Sequence, residues 1–137
     1  MKKTALLNAP LSKVIARMGH GDFLVVADSG LPIPYGKELV DLAVTPNLPR
    51  LLDVLQVILQ ELQVEKIIIT NEMEKRSPHY YKALEDLLQK TLPDVPIQKI
   101  SHEQFKQITR ETHNIAFVRT GEATPFANLI LVAGVIF

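Results

Sequence analysis

The sequence predicts an α/β fold: one domain over residues 1–137, built as a three-layer α/β/α sandwich around a central mixed, largely parallel sheet. Two observations carry this. The apolar runs Phe23–Ala27 and Lys66–Thr70 are too short for typical helices and rich in β-formers, as strands buried on both faces are. Such runs alternate along the chain with helical patterns, the arrangement of a parallel sheet with crossover helices. A chain of 137 residues is one ordinary domain, long enough to bury about two thirds of the surface its unfolded form exposes.

Taken in order, Asn8 before Ala9-Pro10 is a helix start, an N-cap amide with proline in the first turn, and Gly19 supplies the stop. Leu11, Val14, Ile15 and Met18 form the apolar face between them. The strand Phe23–Ala27 follows, entered through Gly19-His20-Gly21 and left through Asp28-Ser29-Gly30 into a turn stiffened by Pro32 and Pro34. A weaker extended piece spans 38–44. Pro46 and Pro49 introduce a helix from Leu51 through Gln63, whose broad apolar stripe suits a helix covering a sheet. The strand at 66–70 comes next. Ser77-Pro78 marks the cap and first turn of a helix to about Lys90, and a short extended piece lies near 95–100. Ser101 with Gln104 is a capping-box pattern opening a helix from about His102 to Thr112. Strands at 115–119 and 128–137 close the chain, joined by a polar loop over 120–126.

Composition excludes several function classes. Fifteen basic and fifteen acidic residues balance to zero, with no basic stripe of the kind nucleic acid requires. Low net charge with 47% hydrophobic residues suggests surface buried against other copies of the chain. With no cysteine, disulfides, thiolate catalysis and cysteine metal sites are out, which fits a reducing cytosol. The start, Met1 to Leu7, imitates a signal peptide but is interrupted by Asn8, Pro10 and Lys13, and reads as structural. The apolar end, Leu129–Phe137, is far shorter than the ~20 residues of a membrane span.

The residues that carry chemistry gather around the first strand. His20 is a candidate proton shuttle, since imidazole titrates near neutral pH; it could equally bond loose carbonyls at a helix C-terminus. Asp28 sits beyond the carboxyl end of a strand, where open α/β sheets bind ligands, or else forms an Asx-type turn. His102 opens a helix, where free amides favour anionic or hydroxyl-bearing ligands, or is simply exposed. The loop Gly121–Asn128 joins a turn, an aromatic ring and an amide, suited to a small polar ligand; its plain reading makes Phe126 a core plug and Asn128 a partner for backbone groups. Histidine spacing matches no compact metal motif, and the glycines near His20 form no dinucleotide or Walker fingerprint. No metal or cofactor is expected.

Several separated segments then match one family. They are Met1-Lys2-Lys3, Leu7-Asn8, Val14 to His20, Leu24 to Pro34, Ser101 to Lys106, Arg119 to Glu122, and Thr124 to Asn128 through the C-terminal strand. On these the chain resembles the D-ribose pyranase group of the ribose/fucose mutarotase family, over essentially its whole length. The resemblance implies a cytoplasmic isomerase without cofactor that interconverts the pyranose and furanose forms of D-ribose. It implies His20 as proton donor, and Asp28, His102 and the segment Phe126-Ala127-Asn128 as substrate-binding positions. It also implies a homo-oligomer, commonly a decamer of two pentamer rings with sites completed by neighbouring subunits. One position departs: the family usually has tyrosine where this chain has Phe126, so the ring still stacks but a phenolic hydrogen bond is lost. The alternatives are an L-fucose-type mutarotase, a non-catalytic sugar-binding or transport-accessory protein, and an assembly subunit without ligand.

Overall fold

The computed structural model describes residues 1–137. Its elements run α1 (Ala9–Arg17), β1 (Phe23–Ala27), β2 (Glu38–Asp41), α2 (Leu51–Ile58), β3 (Val64–Thr70), α3 (Asn71–Arg76), α4 (Pro78–Thr91), β4 (Ile97–Ile100), α5 (His102–Glu111), β5 (Ile115–Arg119) and β6 (Leu129–Ala133). One six-stranded sheet has the order β2-β5-β1-β6-β3-β4. All neighbours are parallel except β6, which runs antiparallel between β1 and β3. The mixed, largely parallel sheet is therefore as the sequence predicted.

Alternation along the central strands separates two cores. Leu24 and Val26 of β1 face a larger cluster with Leu11 and Val14 of α1, Leu51, Leu55 and Ile58 of α2, Met73 of α3, and Leu84 and Leu88 of α4. Val25 and Ala27 face the other side, where Phe105 of α5 fills a smaller cluster with Phe117, Ile68 and Ile130. The three layers are thus lopsided, four helices against one.

Local signals explain most boundaries. The Asn8 side chain accepts from the Leu11 amide at 2.9 Å, and the Ser101–Gln104 capping box is present in both directions. Four details differ from expectation. Helix α2 stops at Ile58, and its apolar periodicity continues to Leu62 only as tight turns, with the Leu62 amide donating to the Ile58 carbonyl at 2.9 Å. Helix α3 was not foreseen: β3 runs straight into it with no glycine or proline between, and Thr70 caps it by accepting from the Met73 amide at 3.3 Å. Ser77 makes no capping bond on α4; its hydroxyl donates instead to the Pro125 carbonyl at 3.0 Å. Strand β6 ends at Ala133, because the Gly134 amide turns away to the Gln63 carbonyl at 2.8 Å, leaving Ile136 and Phe137 exposed.

The topology decides where chemistry collects. Parallel strands β1, β4 and β5 all end at one edge of the sheet, and β6, being antiparallel, begins there: Val26 pairs with Leu129. Asp28 and Asn128, which directly follow and precede strand ends, and His102, two residues beyond β4, therefore share one edge.

Candidate functional site

At that edge lies a cleft of about 370 Å³ whose walls include Asp28, His102, Lys106, Glu122, Phe126 and Asn128. Asp28 and Asn128 are locked together. The Asn128 Nδ2 donates to Asp28 Oδ2 at 2.9 Å while Asn128 Oδ1 accepts from the Asp28 amide at 2.8 Å. The other carboxylate oxygen, Oδ1, accepts from the Gly30 amide at 3.0 Å and the Leu31 amide at 2.8 Å, so the Asx-type turn and the cleft-lining carboxylate are the same residue. Burial pushes the Asp28 carboxyl above its ordinary value; the Gly30, Asn128 and Leu31 hydrogen bonds and the nearby His102 charge oppose that rise.

His102 begins α5, its amide donating to Glu72 Oε2 at 3.0 Å. Its ring meets Phe126 edge to face, centroids 5.0 Å apart. Nδ1 of this imidazole is buried and has no hydrogen-bond partner, an uncommon state for a polar atom and one that points to the chemistry of the cleft. Lys106, one turn further along α5, also lines the cleft while reaching Glu103 Oε1 at 3.3 Å. Phe126 holds its backbone at φ 62°, a left-handed conformation that bulky residues rarely take, and packs partly on the larger core cluster. Ala127 is fully buried, and its amide donates to the Thr124 carbonyl at 3.3 Å. It does not itself line the cleft, unlike Phe126 and Asn128 on either side.

Sequence reasoning passed over Glu122. This carboxylate is 1% exposed. Its Oε2 accepts from the Leu51 amide at the start of α2 (3.2 Å), and its Oε1 from the Thr124 hydroxyl at 2.8 Å. Arg50 approaches at 4.0 Å. Glu122 thereby ties the ligand loop to a helix N-terminus, where negative charge is favoured. The sequence signal was weak, a lone acid after glycine; only burial reveals the role.

His20 is elsewhere. It follows α1 at the opposite end of β1, separated from Asp28 by the length of that strand, about 16 Å at 3.3 Å per residue. Its ring is mostly exposed, and Nε2 lies 2.8 Å from Glu65 Oε2 at the start of β3. Of the flanking glycines only Gly21 uses a positive φ, 82°. Within one chain, then, Asp28, His102, Phe126 and Asn128 come together and His20 does not join them. A second cleft, about 350 Å³, opens between α1 and β5 but contains the paired Arg17 and Glu38 and no unpartnered buried polar atom. No group of three or more His, Asp or Glu side chains is placed to hold a metal ion.

The profile of the RbsD / FucU transport protein family matches residues 1–136. The chain belongs to this family. Among relatives that cover 100% of both chains, proteins named D-ribose pyranase from Coprothermobacter proteolyticus and Chloroflexus aggregans are 53% and 50% identical to it. Among solved structures, Bacillus subtilis RbsD complexed with D-ribose shares 41% identity over 100% of both chains, with a TM-score of 0.89. The Streptococcus pneumoniae fucose mutarotase in complex with L-fucose, at 24% identity and a TM-score of 0.74 over both full chains, shares the fold. The RbsD / FucU fold therefore accounts for the whole chain, cleft included.

Proposed function

We propose that this chain is a monosaccharide ring-form isomerase acting on D-ribose, interconverting its pyranose and furanose forms in the cytoplasm. The observation that carries the reading is the cleft at the strand ends, where a buried carboxylate, an imidazole with an unpartnered nitrogen, a lysine and an aromatic ring converge on a volume suited to one small polyol. Near-half identity to D-ribose pyranases along the entire chain supports it, as does the close match to a ribose-bound structure.

Ring opening of a hemiacetal requires a proton delivered to the ring oxygen and another removed from the anomeric hydroxyl. Reclosure by a different hydroxyl then gives the other ring size. Asp28 and His102 fix sugar hydroxyls, Asn128 orients Asp28, and Phe126 offers a face to the apolar side of the sugar. His20 serves as the proton donor, with Glu65 holding its ring. Since His20 lies at the far end of β1 from the cleft, the donor comes from a second copy of the chain, in an assembly for which we favour the decamer of two pentamer rings. General acid or base assistance of this kind is worth about 10² to 10⁴ in rate.

Saturation-transfer NMR of ribose ring-form exchange tests the reading, run in parallel with L-fucose. Accelerated ribose exchange by the native protein, falling by about 10² or more in His20→Ala, is the expected result. Ribose binding without acceleration would make the protein a sugar-binding accessory instead, and preference for fucose would move it to the other branch of its family.

A further inference from the structure

β3 carries a bulge at the residue that meets His20. Its pairing with β6 joins Ile69 to Leu129, Ile67 to Leu131 and Lys66 to Val132, then Val64 to Ala133, so one step along β6 is matched by two along β3. Glu65 is the extra residue. Ile69 and Ile67 both face the larger core cluster, and unbroken alternation would aim residue 65 into that core as well. The bulge gives the core Val64 instead and turns Glu65 out, where its Oε2 lies 2.8 Å from His20 Nε2.

The surrounding backbone fixes both partners. The Gly21 amide donates to the Ala133 carbonyl at 2.8 Å and the Ala133 amide to the Asp22 carbonyl at 2.9 Å, which ties the His20 turn to the end of β6 opposite the bulge. Asp22 Oδ2 closes that turn by accepting from the Gly19 amide at 2.8 Å. Beyond Ala133 comes Gly134, where a Cβ would stand only 3.1 Å from Glu65 Cβ. Both side chains of the pair are exposed, and an exposed pair adds too little to folding to account for a bulge. Bulges beside working sites serve to re-aim a side chain.

The chemistry of the pair decides which nitrogen works. An ionised carboxylate only accepts, so Glu65 fixes a proton on Nε2 and leaves Nδ1, which has no hydrogen bond within the chain, as the nitrogen that exchanges one. We propose that Glu65 is a positioning residue for the proton donor, holding the His20 ring so that Nδ1 faces the sugar in the neighbouring copy's cleft. This rests on the ribose reading above. In ring opening, Nδ1 gives its proton to the ring oxygen as that oxygen takes the bonding pair from C1, while the anomeric hydroxyl loses its proton to water. Neutral His20 keeps its Nε2 proton on Glu65. Its Nδ1 lone pair then receives the proton of the hydroxyl that recloses the ring, and the carbonyl oxygen takes a proton back from water.

Glu65→Ala removes the holding carboxylate without touching the cleft. Ribose exchange by saturation-transfer NMR is expected to fall about 10- to 100-fold, the worth typical of groups that orient a working histidine, with ribose affinity level. In a His20→Ala background the same change should cost nothing further, because it acts only through His20. Glu65→Gln, whose amide oxygen still accepts from Nε2, should recover part of the exchange. Nitrogen-15 spectra of the histidine rings, with the His20 signals assigned by their loss in His20→Ala, give a readout without sugar: neutral His20 carries its proton on Nε2 in the native protein and divides it between both nitrogens in Glu65→Ala. Native-like exchange in Glu65→Ala, a loss that persists without His20, or a native ring protonated at Nδ1 would each overturn the proposal while leaving the ribose reading intact. A smaller mass by light scattering in Glu65→Ala would overturn it too, by making the residue structural. If the native protein does not accelerate ribose exchange at all, the ribose reading itself falls and the proposal with it.

Discussion

Asp28 shapes a turn and lines the cleft with one carboxylate. Its Oδ1 turns the chain after β1, and its Oδ2 faces Asn128 at the cleft. Because burial outweighs the hydrogen bonds, its folded-state pKa is raised. The folded protein then keeps this proton to higher pH than the unfolded chain does. The contribution to stability is full below the ordinary carboxylate range and is lost as pH rises through the folded value. If the ionised carboxylate is what accepts the sugar hydroxyl, ribose affinity declines on acidification through that raised value. Asn128→Ala removes an interaction that favours the charged form, so the acid limb of the affinity profile is expected to move to higher pH. Titration of ribose binding between pH 4 and 8 checks this; an unmoved limb would disconnect Asn128 from Asp28 ionisation. Gly121 is constrained differently: a methyl group there would overlap the Leu48 backbone. Gly121→Ala is therefore expected to displace the ligand loop and lower stability by about 1–3 kcal/mol, read by denaturant unfolding.

At the scale of elements, the site hangs on helix ends. Glu122 caps α2 from the ligand loop, and removing it leaves the Leu51 amide and the Thr124 hydroxyl without their acceptor. Glu122→Ala should cost about 2–4 kcal/mol in chemical denaturation, with Glu122→Gln milder because one oxygen remains. Ser101→Ala, which opens the capping box before His102, should cost about 1 kcal/mol and weaken ribose binding by displacing the imidazole. These elements were unequally legible in the sequence. The Asn8 and Ser101 caps and the apolar strands could be read because each depends on residues within a few positions. Helix α3 was missed, since its cap, Thr70, is also the last residue of a buried strand and carries both signals at once. Strand polarity placed only Asp28 beyond a strand end, and the family resemblance joined it to His102 and Asn128; the antiparallel run of β6 that brings Asn128 to this edge and the burial of Glu122 arise from contacts between distant segments, which no local pattern encodes.

The whole molecule sets its two chemical ends apart. The sheet puts the cleft at one edge and the His20–Glu65 pair at the other, so a single copy does not unite His20 with the cleft. Ile136 and Phe137 are exposed at the His20 end, close to where β6 stops, and Tyr35, Val44 and Leu48 add further exposed apolar surface. Light scattering should give a mass several times that of one chain, and Phe137→Asp should lower both that mass and the exchange rate. No helix is long and apolar enough to span a membrane.

The central claim, a ribose-isomerising site that takes its cleft from one copy and His20 from another, is tested most directly by complementation. His20→Ala and Asn128→Ala chains, each nearly inactive alone, are co-expressed at equal levels, and ribose ring-form exchange is measured on the mixed assembly. If sites are shared between copies, about a quarter of them pair an intact cleft with an intact His20 and exchange returns to roughly that fraction of native. Exchange no higher than the average of the two single variants would contradict a shared site.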